Sequence, residues 1–274
     1  MKILIAADME GISGVTGWEH VTPGHAEYER FRRGMTADVN AAIQGAFEAG
    51  ASQVTVTDGH WNSSNILIEE LDSRARLNCG WPSPLSMVEG VQHGADGVLF
   101  VGYHARAGTA NAILDHTWSS KCVFNLWLND LLVGEAGLNG AVCGHFNVPV
   151  LLVSGDQSVC AEVRDMLGPV ETVVVKQASG RMAADCLPPE AAQAMIREGA
   201  RRAVERLKAG VAPPPFRLPP PVQVVVELFY TEMADKAAIL PGAQRLDGRR
   251  IAFTAADMVA AYTGFRAAVA LARG

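Results

Sequence analysis

Apolar residues in the first part of this chain come in short uninterrupted runs, and each run ends on polar residues. Ile3–Ala7 leads into Asp8, Val54–Thr57 into Asp58-Gly59-His60, Val98–Val101 into Gly102-Tyr103-His104, and Val150–Val153 into Ser154-Gly155-Asp156. Continuous apolar runs suit strands covered on both faces, as in parallel α/β sheets. Between the first two runs the spacing becomes helical. Phe31, Met35, Val39, Ala42, Ile43, Ala46 and Phe47 recur on one face from Tyr28 to Ala49, and Gly50 supplies a stop. Strand, helix, strand is the pattern of a βαβ unit. Val123–Leu128 and Leu131–Gly134 flank Asn129-Asp130 as a hairpin with a two-residue turn. Ala136–Phe146 reads as a helix, with Glu135 in its first turn, where the helix dipole favours an acid.

The second part mixes its signals. A short helix reaches Leu167 and a strand covers Thr172–Lys176. Pro188-Pro189-Glu190 opens a helix with Met195, Ile196, Ala200, Ala203, Val204 and Leu207 on one side. Gly210–Pro221 holds six of the chain's 14 prolines and reads as a stiff extended connector. Val222–Tyr230 and Ile251–Thr254 are strand-like, and Ala256–Ala272 is a closing helix. The expected fold is α/β, a mostly parallel sheet flanked by helices, with a smaller C-terminal α+β part. The expected boundary gives a metal-binding catalytic domain over 1–169 and a smaller α+β domain over 170–274.

Composition narrows the partners. The 274 residues are 49% hydrophobic, and 23 Lys+Arg against 29 Asp+Glu leave a formal charge of -6. A mildly acidic chain without a basic tract is a poor nucleic-acid binder, and it lacks the basic amphipathic face of a membrane-surface helix. No apolar run approaches the ~18 residues of a membrane span, and Ile3–Ala7 is too short for a signal-peptide core. A cytoplasmic protein is expected. Cys79, Cys122, Cys143, Cys160 and Cys186 are scattered, odd in number and without a CxxC pair, so buried thiols are expected rather than disulfides or a thiolate metal site.

The candidate chemistry lies where the apolar runs stop. Ligands of open α/β sheets bind at the carboxyl ends of strands, and Asp8, Glu10, Asp58, His60 and His104 all fall there. On extended chain, Asp8 and Glu10 point the same way. Two carboxylates so placed are costly unless a metal, a basic side chain or water lies between them. With His116 in Leu114-Asp115-His116-Thr117, and with Glu135, they form an oxygen and nitrogen set without sulfur. Such a set suits Zn²⁺, Mn²⁺, Co²⁺ or Fe²⁺. Each residue also has a plainer role open to it: structural histidines, acids that cap helices or bind Arg, and a turn at Asp58-Gly59. GxSxG, P-loop and dinucleotide fingerprints are absent, which weakens serine-hydrolase and NTPase readings.

Several stretches carry a family likeness in order and spacing. They are Ile5-Ala6-Ala7-Asp8-Met9-Glu10-Gly11-Ile12-Ser13-Gly14, Thr57-Asp58-Gly59-His60, Ser86-Met87-Val88-Glu89-Gly90, Gly102-Tyr103-His104-Ala105 and Val133-Gly134-Glu135, followed by Val175-Lys176 and Leu187-Pro188-Pro189. Together they resemble the M55 D-aminopeptidase family of zinc peptidases, the dipeptide-operon type, essentially end to end. The resemblance implies two Zn²⁺ per subunit, with Asp8 as the bridging carboxylate and Glu10, His60, His104 and Glu135 as the other ligands. It implies His116 as the catalytic residue and leaves Asp58 outside the ligand set. It further implies short peptide substrates with an N-terminal D-residue, D-Ala-D-Ala among them, and a homo-oligomer in the form of a ring-shaped decamer.

Amide hydrolysis by a metal-activated water is the reaction expected of such a centre. His116 is then a nucleophile or a general acid/base. An acyl-histidine beside an activated water is superfluous, which favours proton transfer. Two other readings stand beside this one. The site could serve a dinuclear metallohydrolase acting on another amide or a phosphoester, although Arg106 and Lys121 are the few cations near the ligand segments. Alternatively the chain binds metal or peptide without catalysis.

Overall fold

The computed structural model describes residues 1–274. β1 (Lys2–Ala7) leads through a turn and the short α1 (Trp18–Val21) to the long α2 (Tyr28–Glu48). β2 (Gln53–Asp58), β3 (Ala75–Asn78) and β4 (Gly97–Tyr103) follow, then the hairpin β5 (Val123–Leu128) and β6 (Leu131–Val133). Next come α3 (Glu135–His145), β7 (Val150–Asp156), α4 (Gln157–Leu167), β8 (Glu171–Gly180), β9 (Ala183–Cys186) and α5 (Pro189–Lys208). The proline-rich connector leads to β10 (Val222–Leu228), α6 (Thr231–Ala237), β11 (Gln244–Arg245), β12 (Arg250–Ala255) and α7 (Met258–Arg273).

Two sheets result. The larger has the order β3-β2-β1-β4-β7-β8-β9, and every neighbouring pair is parallel except β8 with β9. The smaller, β11-β12-β10-β5-β6, is antiparallel throughout. The α/β class and the mostly parallel sheet are as expected. Each sheet draws strands from both sides of residues 169 and 170. β8 and β9 complete the larger sheet from beyond that point, whereas β5 and β6 lie before it and join the antiparallel one. The division between sheets therefore does not follow the division of the chain at that point.

Burial explains the layers. On β1, Ile3, Ile5 and Ala7 face a core built with α2 and α5, while Leu4 and Ala6 face a core shared with α3, α4, α7 and the antiparallel sheet. Each fully buried aliphatic side chain contributes about 1.5–3 kcal/mol, so a strand apolar on both faces is anchored on both. α2 and α5 approach closely at Gly45, where a Cβ would overlap the Arg197 carbonyl. The hairpin turn has positive φ at Asn129 (48°) and Asp130 (66°), the signature of a type I′ turn. Asn129 ties it down: its Oδ1 accepts from Gln223 N at 2.7 Å and its Nδ2 donates to the Pro219 carbonyl.

One topological feature places the site. After β1 the chain first builds outward through β2 and β3, then returns to lay β4 on the other side of β1. The crevice at the carboxyl ends of β1 and β4 is a switch point of the kind where α/β sheets bind ligands. No helix is long and apolar enough to cross a membrane. Three cysteines are buried as expected, but Cys79 is exposed and Cys186 is partly so; all five are free thiols.

Candidate metal centre

The chain brings Asp8 and Glu10 together by a turn rather than by the pleat of a strand. β1 ends at Ala7, and residues 9–14 form turns. Asp8 N still donates to the Val101 carbonyl at 2.8 Å, but Gly11 N then donates to the Gly102 carbonyl at 2.7 Å and bends the chain across the end of β4. A Cβ on Gly11 would overlap the Tyr103 carbonyl, so the bend needs glycine. Both carboxylates end up buried, at 2% and 3% exposure.

His60 follows β2. Its loop is fastened by Asp58, whose Oδ2 accepts from Asn65 N and Ile66 N and whose Oδ1 accepts from Asn65 Nδ2. Asn65 Nδ2 also reaches the His60 carbonyl, and Tyr28 of α2 donates to Asn65 Oδ1. Asp58 is thus the staple of the His60 loop, outside the cluster. His104 stands immediately beyond β4. Glu135 is the first residue of α3, and its Oε1 accepts from Trp118 N at 2.8 Å. His116 stacks on His104, with ring centroids 3.9 Å apart.

All five ligand candidates and His116 converge in one buried cluster. His60 Nδ1 lies 3.1 Å from Asp8 Oδ1 and 3.1 Å from Glu10 Oε2. His104 Nε2 lies 3.4 Å from Asp8 Oδ2 and 3.0 Å from Glu135 Oε1. His116 Nε2 lies 3.5 Å from Glu135 Oε1. Donors bound ~2.0–2.1 Å from a tetrahedral ion sit about 3.3 Å from one another, which is the spacing seen here. Glu10 Oε2 and His104 Nε2 are buried with no hydrogen-bond partner, because their close neighbours are misaligned for one. Unpaired buried polar atoms are costly, and a shared cation removes that cost. The donor set fits zinc.

Each imidazole is oriented by its far nitrogen. His60 Nε2 donates to the Val21 carbonyl at 2.7 Å, His104 Nδ1 to the Ala105 carbonyl at 3.1 Å, and His116 Nδ1 to the Leu114 carbonyl at 2.8 Å. Backbone acceptors of this kind fix the tautomer and leave the other lone pair aimed at the cluster. Asp8 spreads its oxygens between two histidines, Oδ1 toward His60 and Oδ2 toward His104. Glu10 lies within ligand reach of Asp8 and His104, and it approaches His60 at 3.1 Å.

The electrostatics match a cation site. Burial would raise the Asp8 carboxyl, yet the close approach and charge of His104 and His60 hold it well below its usual range. Burial would lower His60, but Glu10 and Asp8 hold it well above its usual range; Glu135 and Asp8 do the same for His104. Acids and bases so strongly paired are groups whose protons a metal displaces. His116 differs: burial and the neighbouring charge of His104 push it down, which favours the neutral ring.

A family description of M55 peptidases, D-aminopeptidase, matches residues 1–267. The chain belongs to the M55 D-aminopeptidase family. The D-aminopeptidase of Bacillus subtilis (strain 168) is 37% identical over 265 residues, covering 96% of this chain and 94% of that protein. The solved structure of the Zn-dependent D-aminopeptidase DppA from Bacillus subtilis, a self-compartmentalizing protease, superimposes with a TM-score of 0.95 at 35% identity. The match covers 100% of this chain and 98% of that chain.

This M55 chain also uses groups that no pattern of apolar and polar positions singled out. Arg181, in the turn between β8 and β9, donates from Nε to Asp115 Oδ1 and from Nη2 to the Asp115 carbonyl, while its own carbonyl accepts from Leu114 N. Trp18 packs edge-on against His116 and under the Arg181 guanidinium. The Leu114–His116 segment is held from outside the cluster by these contacts. Arg181 lies far from the ligand stretches in sequence, and Trp18 falls just outside the Ile5–Gly14 stretch, so no local motif marks either.

Proposed function

We propose that this chain hydrolyses short peptides carrying an N-terminal D-residue, of the D-Ala-D-Ala type, at two zinc ions. Asp8 would bridge the ions, with His60 and Glu10 on one side and His104 and Glu135 on the other. The observation that carries this reading is the division of Asp8's two oxygens between two oriented imidazoles. Bound there, zinc supplies Lewis acidity toward the scissile carbonyl and lowers the pKa of water to about 7.

The chain's own residues supply the rest. The Val21 and Ala105 carbonyls fix the ligand lone pairs, so little reorganisation accompanies binding. The Leu114 carbonyl keeps the His116 proton on Nδ1, leaving Nε2 free at the edge of the cluster to accept a proton from water and return it to the leaving amine. Burial of the whole cluster excludes bulk water and strengthens each of these interactions.

The self-compartmentalizing character of the Bacillus subtilis enzyme supports a homo-oligomer, for which we propose a ring-shaped decamer. Trp61, Trp81 and Ile239, at 58%, 66% and 72% exposure, provide apolar surface for such contacts. Light scattering should return a ten-subunit mass.

The deciding experiment is an assay with D-Ala-D-Ala, L-Ala-L-Ala and an aryl phosphate in parallel. The D-peptide should be cleaved, the activity abolished by chelator and restored by Zn²⁺. Preferred turnover of the phosphoester, or peptide cleavage indifferent to chelator, would overturn the proposal.

A further inference from the structure

Lys176 is a charged side chain buried to 1% exposure within β8, far in sequence from every ligand candidate. Its Nζ donates to three main-chain carbonyls: Glu10 O at 2.6 Å, Ile12 O at 2.9 Å and Val15 O at 2.8 Å. An ammonium has three donors and no acceptor, so the cradle is saturated and only the protonated form satisfies it. Burial pushes this lysine down to about 8, even though Asp156, Cys186 and Glu10 pull the other way.

A buried charge at a core strand position is expensive. Leu or Met would fill the same space at lower cost, but neither would engage the three carbonyls. All three belong to the one turn that carries Glu10 from the end of β1 into the cluster. That turn has further anchors in the same region: Ser13 Oγ donates to the Leu187 carbonyl at 2.5 Å, and Gly11 N donates to the Gly102 carbonyl. Residues 9–14 lack helix or strand pairing of their own, so their shape is set by these ties. The ammonium sits on the carbonyl of Glu10 itself, whose carboxylate is one of the cluster's unpartnered groups.

We propose that Lys176 is a positioning residue for the metal-binding turn. By gathering the Glu10, Ile12 and Val15 carbonyls it holds the Glu10 carboxylate against His60, and so sets the affinity for the ion on that side. The assignment rests on the two-metal reading above.

Cobalt titration, followed by visible absorption and elemental analysis, tests it on the full-length protein. Wild-type protein should bind two ions. Lys176→Met should keep one at wild-type affinity and weaken the other by about 10- to 100-fold, the usual effect of losing a group that orients a ligand, with a changed absorption band for the weakened site. Val173→Ala, a truncation in the same strand away from the turn, should lower thermal stability while leaving both affinities intact. A Lys176→Met protein that melts earlier but binds both ions like wild type would make the lysine merely structural and overturn the assignment. Should Lys176→Met not fold, Ser13→Ala decides: it cuts another anchor of the same turn and should weaken the same ion, and unchanged affinities for both would overturn the idea. Wild-type protein that binds fewer than two ions would overturn the two-metal reading itself, and this assignment with it.

Discussion

Removing Asp8 or Glu10 should have different consequences, although both are buried carboxylates from one short stretch. Asp8 faces His60 with Oδ1 at 3.1 Å and His104 with Oδ2 at 3.4 Å. Glu10 makes its shortest approach to His60, at 3.1 Å. Zinc in a four-ligand protein site is held by roughly 10–16 kcal/mol, or about 3 kcal/mol for each ligand. At ~1.4 kcal/mol per decade, losing one ligand weakens an ion by about 100-fold. Asp8→Ala removes a ligand from both ions, so both affinities should fall by about that factor. Glu10→Ala should weaken one ion by about 100-fold and leave the other within roughly tenfold, since its ligands are untouched. Dialysis against a graded chelator series, followed by zinc analysis, reads both affinities. An Asp8→Ala protein that retains one ion at wild-type affinity, or a Glu10→Ala protein that loses both in parallel, would refute the bridge.

Other expectations follow from the same geometry. His116→Ala should lower kcat by about 10²–10⁴-fold, the range for a lost general acid/base, while zinc analysis still finds two ions; loss of the metals would make His116 a ligand instead. Asp38 lies buried on α2, and burial raises its carboxyl to about 7 against the charge of Lys176. Its folded value thus exceeds the unfolded ~3.9. The native chain holds this proton more tightly, so the contribution to stability is present below about pH 4 and lost as pH rises through 7. Asp38→Asn should therefore stabilise the protein against urea at about pH 8, by up to roughly 4 kcal/mol, and much less at about pH 4; a gain equal at both would contradict the buried-charge explanation. Gly45→Ala should destabilise by about 1–3 kcal/mol in thermal melts, because the added methyl meets the Arg197 carbonyl of α5. A neutral result would mean that the two helices part without strain.

Most of the architecture was legible because it depends on local pattern. Strands buried on both faces must be continuously apolar, a helix packed on a sheet must repeat every three to four residues, and a two-residue hairpin must tolerate positive φ. β1, α2, β4, the Asn129-Asp130 turn and α3 obey these rules, and they appear close to the expected residues. β3 and β9 escaped notice because each is a short edge strand of four residues, Ala-Arg-Leu-Asn and Ala-Ala-Asp-Cys, with no β-branched or aromatic residue to signal it. The expected helix over Ala256–Ala272 starts later, at Met258, since Asp257 caps it by accepting from Ala260 N.

The residues of the candidate site were also nameable from the chain, since strand ends and family motifs mark Asp8, Glu10, His60, His104, His116 and Glu135 one by one. Their arrangement was not. The expectation that Asp8 and Glu10 converge along extended backbone gave way to a turn, because β1 ends at Ala7 and Gly11 bends the chain over the end of β4. The carbonyls of Val21, Ala105 and Leu114 that orient the imidazoles have no side-chain signature at all. Lys176 reaches the turn from a strand over 160 residues away. Sequence by itself determines which groups are available and which segments are strand or helix, since those depend on neighbours along the chain. Which oxygen faces which nitrogen, and which distant charge holds the turn in place, depends on packing between segments, and only the tertiary structure decides that.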